Sequence, residues 1–235
     1  MFLTAVIVLI VAFFFLRALY KTEPVEESLS DITEFHDHQE TVQEVVSVEQ
    51  TGKMMNEDQY WMLISISLAH TSDQENQASY LTSELQELSP EEMVGFRLRT
   101  DRLLSDSHTS DLWCAAFLIN GGCSDDAFEY FRCWLISRGK EAYNNAKKSA
   151  DSLINQIKEG EEYEFEEFAY IAMTAFKNET ALELDDYIDY DKVETRDSST
   201  EQIDFTWEEE NPDSMQAICP KIFAQRWHEP QEADM

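Results

Sequence analysis

The run from Asn120 to Arg132 reads Asn-Gly-Gly-Cys-Ser-Asp-Asp-Ala-Phe-Glu-Tyr-Phe-Arg and holds the densest set of side chains able to do chemistry. A double glycine ends one helix without strain, since glycine takes the left-handed position freely. Ser124 then caps a second helix that starts at Asp125. Positions 125, 129 and 132 are four and three apart. Asp125, Glu129 and Arg132 can therefore share one face as an acid–acid–base ladder, with Asp126 beside it. Asn120 and Ser124 complete the candidate ligand-binding set. The helix start offers N–H groups to an anion, but Asp125 and Asp126 oppose one there. An amine, a guanidinium or a hard metal ion suits the site better.

The same residues also support a purely structural reading. Two aspartates in a first turn favour the helix dipole, Ser124 caps, Arg132 pairs with Glu129, and Asn120 helps to close the turn. Cys123 lies near a helix N-terminus, which favours its thiolate, while the neighbouring carboxylates oppose it. The nearest histidine in sequence is His108, on the preceding loop, so no base stands beside the thiol. No P-loop, GxGxxG, HExxH or GxSxG pattern occurs. The sequence assigns no catalytic residue and no cofactor. His36-Asp37-His38 resembles a metal-ligand triplet, but three ligands bunched on one segment rarely close a site.

The elements that must position these residues are helices. Asn56 with Gln59 reads as a capping box ahead of Trp61, Ile64 and Leu68. Ala78, Leu81, Leu85 and Leu88 recur at helical spacing. Ser89-Pro90-Glu91-Glu92 joins a hydroxyl cap, a proline at the first helical position and an acid at the third, opening a helix that carries Met93, Phe96, Leu103 and Leu104. Ser110-Asp111 opens a helix over Leu112 to Asn120, apolar nearly all round and hence central. A further helix runs from Asp125 to Arg138, with Phe128, Phe131 and Leu135 inward, and Gly139 ends it or hinges into Lys140 to Lys147. A later one is expected from Glu162 to Lys177, and a short one from Asp213 to Ala217. Residues 182 to 213 are acidic and read as irregular. The tail from Cys219 to Trp227 is apolar enough to pack back. No convincing alternating strand series appears. The fold class is all-α, a compact multi-helix domain.

Three blocks of this pattern resemble one family. Leu112-Trp113-Cys114-Ala115-Ala116 precedes the Asn120 to Phe128 corner, and Phe131-Arg132-Cys133-Trp134-Leu135-Ile136 follows it, in order and correctly spaced. They are similar to the signature of the bacterial family known as DUF4240. The resemblance spans about 56–227, supported upstream by Tyr60-Trp61 and between by Leu88-Ser89-Pro90. Ala150 departs from it, since family members often carry proline there. The resemblance implies a helical domain and brings no established activity, cofactor or catalytic residue.

The whole chain has 235 residues, 43% of them hydrophobic, with 17 basic and 48 acidic side chains and a net charge of −31. That is apolar enough for a core. The charge repels nucleic acid and anionic membrane surfaces as docking partners. Residues 1–20 are predominantly apolar, with Arg17 the one charged side chain, and as a helix reach about 30 Å, the thickness of a bilayer core. No basic residue precedes the run and no small-x-small site follows it, so it reads as a retained transmembrane anchor and not a cleaved signal. Arg17 and Lys21 on its C-terminal flank place that flank in the cytoplasm, with Met1 outside. Residues 21–55 then form an acidic linker, 56–227 the helical domain and 228–235 an acidic tail. Cys114, Cys123, Cys133 and Cys219 show no CxxC pair and no zinc spacing, and read as free thiols in a reducing compartment.

These observations point to a single-pass protein of a bacterial inner membrane with its domain in the cytoplasm. The favoured function is a non-enzymatic protein-binding or regulatory module that meets a basic protein segment. The alternative is a small-molecule or metal-dependent enzyme using the Asn120–Asp126 corner and Arg132. Fractionation with protease protection checks the tether. The chain is expected in the membrane fraction, with its domain digested only by protease on the cytoplasmic side. Recovery as a free periplasmic polypeptide with bridged thiols contradicts it.

Overall fold

The computed structural model describes residues 48–71, 73–158, 160–193 and 203–227. Two units divide the chain, Met1–Glu44 and Val45–Met235, and the described residues belong to the second. The expected anchor, most of the linker, the His36-Asp37-His38 triplet and the acidic tail lie outside the described residues. Among those described, no helix is long and apolar enough to cross a membrane.

Local signals set most helix starts. Asn56 Oδ1 accepts the N–H groups of Asp58 and Gln59 at 2.9 and 3.3 Å and starts α1, Glu57–His70. The return half of the expected box is not made, because the Gln59 carboxamide reaches Glu92 instead. The buried row of α1 is Tyr60, Ile64 and Ser67 as well as Trp61, and Leu68 is only partly buried. Asp73 caps α2, Gln74–Gln86, which buries Leu81 and Leu85. The Ser89–Glu92 capping box closes in both directions at 3.2 and 3.1 Å and starts α3, Pro90–Asp106.

The cap of α4, Ser110–Asn120, is Thr109 and not Ser110. The Ser110 hydroxyl is engaged elsewhere, with the Thr206 hydroxyl and N–H. Gly121, at φ 74°, ends α4 in the left-handed conformation. Ser124 caps α5, Asp125–Ser137, and Gly139, at φ 94°, turns the chain into α6, Lys140–Lys148. Short 3-10 turns follow at Ala150–Asn155, Glu166–Tyr170 and Leu184–Tyr187. The remaining helices are α7, Ile171–Thr180, α8, Pro212–Ile218, and α9, Pro220–Arg226.

Two expectations need correction. The helix expected over Glu162 to Lys177 is broken. The Phe165 N–H donates to the Tyr130 carbonyl at 3.0 Å, so the chain before it lies extended along α5 and the α-helix begins only at Ile171. The linker expected to reach residue 55 ends earlier. Thr51 N–H donates to the Tyr187 carbonyl, Asp189 N–H donates to the Thr51 carbonyl, and Met55 N–H donates to the Gly95 carbonyl. Val48, Met54 and Met55 pack on the core, which makes this stretch part of the folded body.

The core lies where α2, α3 and α7 pack together, with α1 against α2 and α3, and α5 against α3 and the Glu166–Tyr170 turn. Trp134, Tyr60, Phe96, Phe128, Phe131, Phe165, Phe168 and Phe176 are fully buried in it. Each contributes about 1.5–3 kcal/mol of burial. The tail packs back as expected. Asp151, itself buried, accepts the N–H groups of Lys221 and Ile222 at 2.8 and 3.0 Å and so caps α9 from a distant part of the chain. All four cysteines are free thiols.

Gly52 sits in a close approach. A Cβ there would lie 2.5 Å from the Lys192 carbonyl carbon and 2.7 Å from the Asp189 oxygen, both backbone atoms that cannot swing away. At Gly95 the nearest backbone atoms would stand 3.0 Å off. Gly52→Ala is therefore expected to cost about 3 kcal/mol in urea denaturation and Gly95→Ala about 1 kcal/mol. A Gly52→Ala variant as stable as the parent contradicts the docking of this segment.

Candidate functional site

The predicted site residues are placed on α4, the glycine turn and α5, but they do not converge. Asp125, Asp126 and Glu129 are exposed and form no ion pair among the described residues. Ser124 Oγ accepts the Ala127 N–H at 3.2 Å, an ordinary cap. Arg132 makes no ion pair with Glu129. It is 8% exposed, its Nη1 donates to the Leu104 carbonyl at 2.7 Å, and its Nε donates to the Phe128 carbonyl at 3.2 Å. Its guanidinium lies 4.7 Å from the centre of the Phe128 ring.

The physical reason is the end of α3. The last carbonyls of a helix lack intrahelical partners and carry its negative dipole end. Arg132 serves Leu104, and the hydroxyls of Tyr143 and Ser107 serve Leu103. The Asp125–Glu129–Arg132 ladder is thus not formed. Burial lowers the Arg132 pKa, and the nearby Glu129 charge works in the opposite direction.

Asn120 does not close the turn. Its Nδ2 donates to Glu164 Oε1 at 3.3 Å. The turn is closed instead by the N–H groups of Gly121 and Gly122 on the Phe117 carbonyl. The Cys123 thiol is pushed up to about 12, by burial first and then by Glu164, the opposite of an activated nucleophile. The His108 ring packs near Trp113 and Phe128, and burial followed by the Arg132 charge lowers its pKa. No group of three metal-ligating side chains converges among the described residues.

A concave site does form next to this corner. A cleft of about 690 Å³ opens between the first turn of α2, one row of α5 and the segment 160–167. The α5 row is Tyr130, Trp134 and Arg138, each four residues apart, and Asp126 stands one turn earlier on the same row. Asp73, the cap of α2, and Glu75 in its first turn line the cleft. Glu161, Glu162, Glu164, Glu166 and Glu167 face it from the other side, so seven carboxylates meet one guanidinium.

That guanidinium is already committed. Arg138 Nη2 donates to Gln77 Oε1 at 2.5 Å and to Ser137 Oγ at 2.9 Å. Gln77, fully buried, donates in turn to Ser67 Oγ and to the Ser137 carbonyl. The Tyr130 hydroxyl donates to Glu166 Oε1 at 3.2 Å, and loss of hydration together with that carboxylate pushes it up to about 12. Asn120 therefore contributes to the cleft by holding Glu164.

Residues 162–166 suggest the acidic first turn of a helix, which hides this wall of the cleft in the sequence. Their true signal is alternation: Tyr163 and Phe165 are buried while Glu162, Glu164 and Glu166 are exposed, the two-residue period of an extended chain.

A family profile described as "Protein of unknown function (DUF4240)" matches residues 55–178, more than half of the chain. The chain belongs to this family. The match covers the cleft and the glycine corner and stops short of the tail helices α8 and α9. No curated protein and no solved structure matches the chain.

The placement of Arg132 separates two variants that a ladder would make equivalent. Arg132→Met is expected to lose about 1–3 kcal/mol in urea denaturation, because the Leu104 carbonyl loses its charged donor and keeps only the Ser107 hydroxyl and N–H. Glu129→Gln is expected to stay within about 0.5 kcal/mol of the parent. Equal losses in the two variants contradict the assignment.

Proposed function

We propose that this DUF4240 member is a non-enzymatic binding module whose acidic cleft receives a basic segment of a partner protein. In the same reading, residues 1–20 tether it to the inner membrane with the domain on the cytoplasmic side. One observation carries the proposal: seven carboxylates line a 690 Å³ cleft whose single cation, Arg138, is held by Gln77 and Ser137 and is not paired with any of them.

An exposed ion pair is worth at most about 1 kcal/mol alone. Carboxylates gathered on a concave surface reinforce one another, speed encounter with a cationic partner and reject an anionic one. Two of these acids are also held in place by neutral donors, Glu164 by Asn120 and Glu166 by Tyr130, while Glu161 is already paired with Lys158. Holding them lowers the ordering cost on binding. Asp126 extends the field along α5. The competing enzyme reading has less support, since Arg132 serves the end of α3 and the Cys123 thiol is raised.

Fluorescence anisotropy with a labelled Lys/Arg-rich peptide and the full chain in neutral detergent tests the proposal. Binding is expected to weaken as salt rises. It should also weaken by about tenfold in a Glu162→Gln, Glu164→Gln, Glu167→Gln triple variant, in proportion to the lost charge. Affinity unchanged by both salt and the triple substitution contradicts the proposal.

A further inference from the structure

The cleft does not end at its acidic wall. Glu167 also lines a second recess of about 440 Å³ that runs between α2 and α7. On the α2 side, Gln74 and Glu75 line the cleft, and Ala78, Ser79 and Thr82 line the recess. These positions form one continuous stripe of the helix. On the other side Glu167, Tyr170, Ile171 and Thr174 follow at spacings of three, one and three, again one face. The two recesses are successive parts of one groove.

Its second half differs in chemistry. Glu167 is the only charged residue lining it, and Tyr170 presents an aromatic ring that remains 48% exposed. Tyr170 also borders the acidic half, where it helps to push up the Tyr130 hydroxyl. From Gln74 to Thr82 the α2 wall runs about 12 Å, which matches roughly two turns of a bound helix.

We infer that the partner segment is amphipathic, with Lys or Arg residues at one end seated in the acidic cleft and apolar side chains at the other end laid between α2 and α7 against Tyr170. This rests on the proposed function and specifies its partner. The argument is charge complementarity at one end and continuity through Glu167 at the other. A cationic head seated among the carboxylates places its following residues on the α2–α7 groove. Helix-in-groove recognition uses this combination of apolar anchors and flanking charge.

Three synthetic peptides separate the possibilities with the full chain in neutral detergent. The first joins a Lys/Arg cluster to Leu and Phe at helical spacing. The second keeps the cluster and replaces the apolar residues by Ser. The third keeps the apolar residues and replaces the cluster by Gln. The first is expected to bind about tenfold more tightly than the second, since burying one or two apolar side chains accounts for that factor. Ser79→Gln and Thr174→Gln change exposed, uncharged positions that line the second recess and not the acidic cleft. Each is expected to remove that gain while leaving the second peptide's affinity unchanged.

If the first two peptides bind equally and neither substitution matters, the amphipathic inference fails while the acidic-cleft reading stands. If neither basic peptide binds, both fail. If the groove is protected from hydrogen exchange before any peptide is added, a second copy or another part of this chain fills it, and the inference is overturned.

Discussion

A single buried carboxamide, Gln77, sets the relation between the helices that frame the cleft. It is fully buried on α2, donates to Ser67 of α1 and to the last carbonyl of α5, and accepts from Arg138 at the end of α5. Three helices thereby meet at one polar group. An apolar side chain of similar size would leave the Ser137 carbonyl buried without its donor, at about 1–3 kcal/mol, and would take one bond each from Ser67 and Arg138, which keep Ile64 and Ser137 Oγ. The constraint is directional. Hydrophobic packing alone lets α2 slide or rotate against α5, whereas three hydrogen bonds of fixed geometry do not. The acids of α2 and the aromatic row of α5 stand across the cleft from one another because of that knot. The same knot holds the Arg138 guanidinium on Gln77 and Ser137, away from pairing with the carboxylates that line the cleft.

The glycine corner takes a supporting part. Its helix-ending turn places Asn120 where it can hold Glu164, and Ser124 starts the helix whose row forms one cleft wall. Arg132, drawn from the same motif, stabilises the end of α3 from below. Motif residues that look like a constellation in sequence thus divide between two jobs, one at the cleft rim and one in the core. The carboxylates of Asp125, Asp126 and Glu129 remain free to add to the surface field, with Asp126 nearest in register to the cleft row.

Much of this was legible in the sequence, for local reasons. Ser89 and Glu92 are three residues apart and need only each other, so their box could be read directly. Gly121 and Gly122 ended α4 as expected, and Ser124 capped α5. Long-range contacts were not legible. Nothing near Arg132 in sequence signals Leu104, and nothing near Ser110 signals Thr206. At Phe165 the backbone is claimed by Tyr130, an external hydrogen bond that overrides helix propensity. Gly52 lies in a stretch whose composition suggested a spacer. Its role appears only when Asp189 and Lys192 come to pack against it. Gln77 lies in line with Leu81 and Leu85, and the period marks a face as buried without saying which polar group that face must satisfy.

Hydrogen exchange of the full chain, followed by mass spectrometry with and without a Lys/Arg-rich peptide, tests the central claim most directly. The account predicts that protection on binding concentrates in peptides covering 73–75, 130–138 and 160–167. Protection confined to the α6 surface or to the tail helices, with those three stretches unchanged, would contradict it.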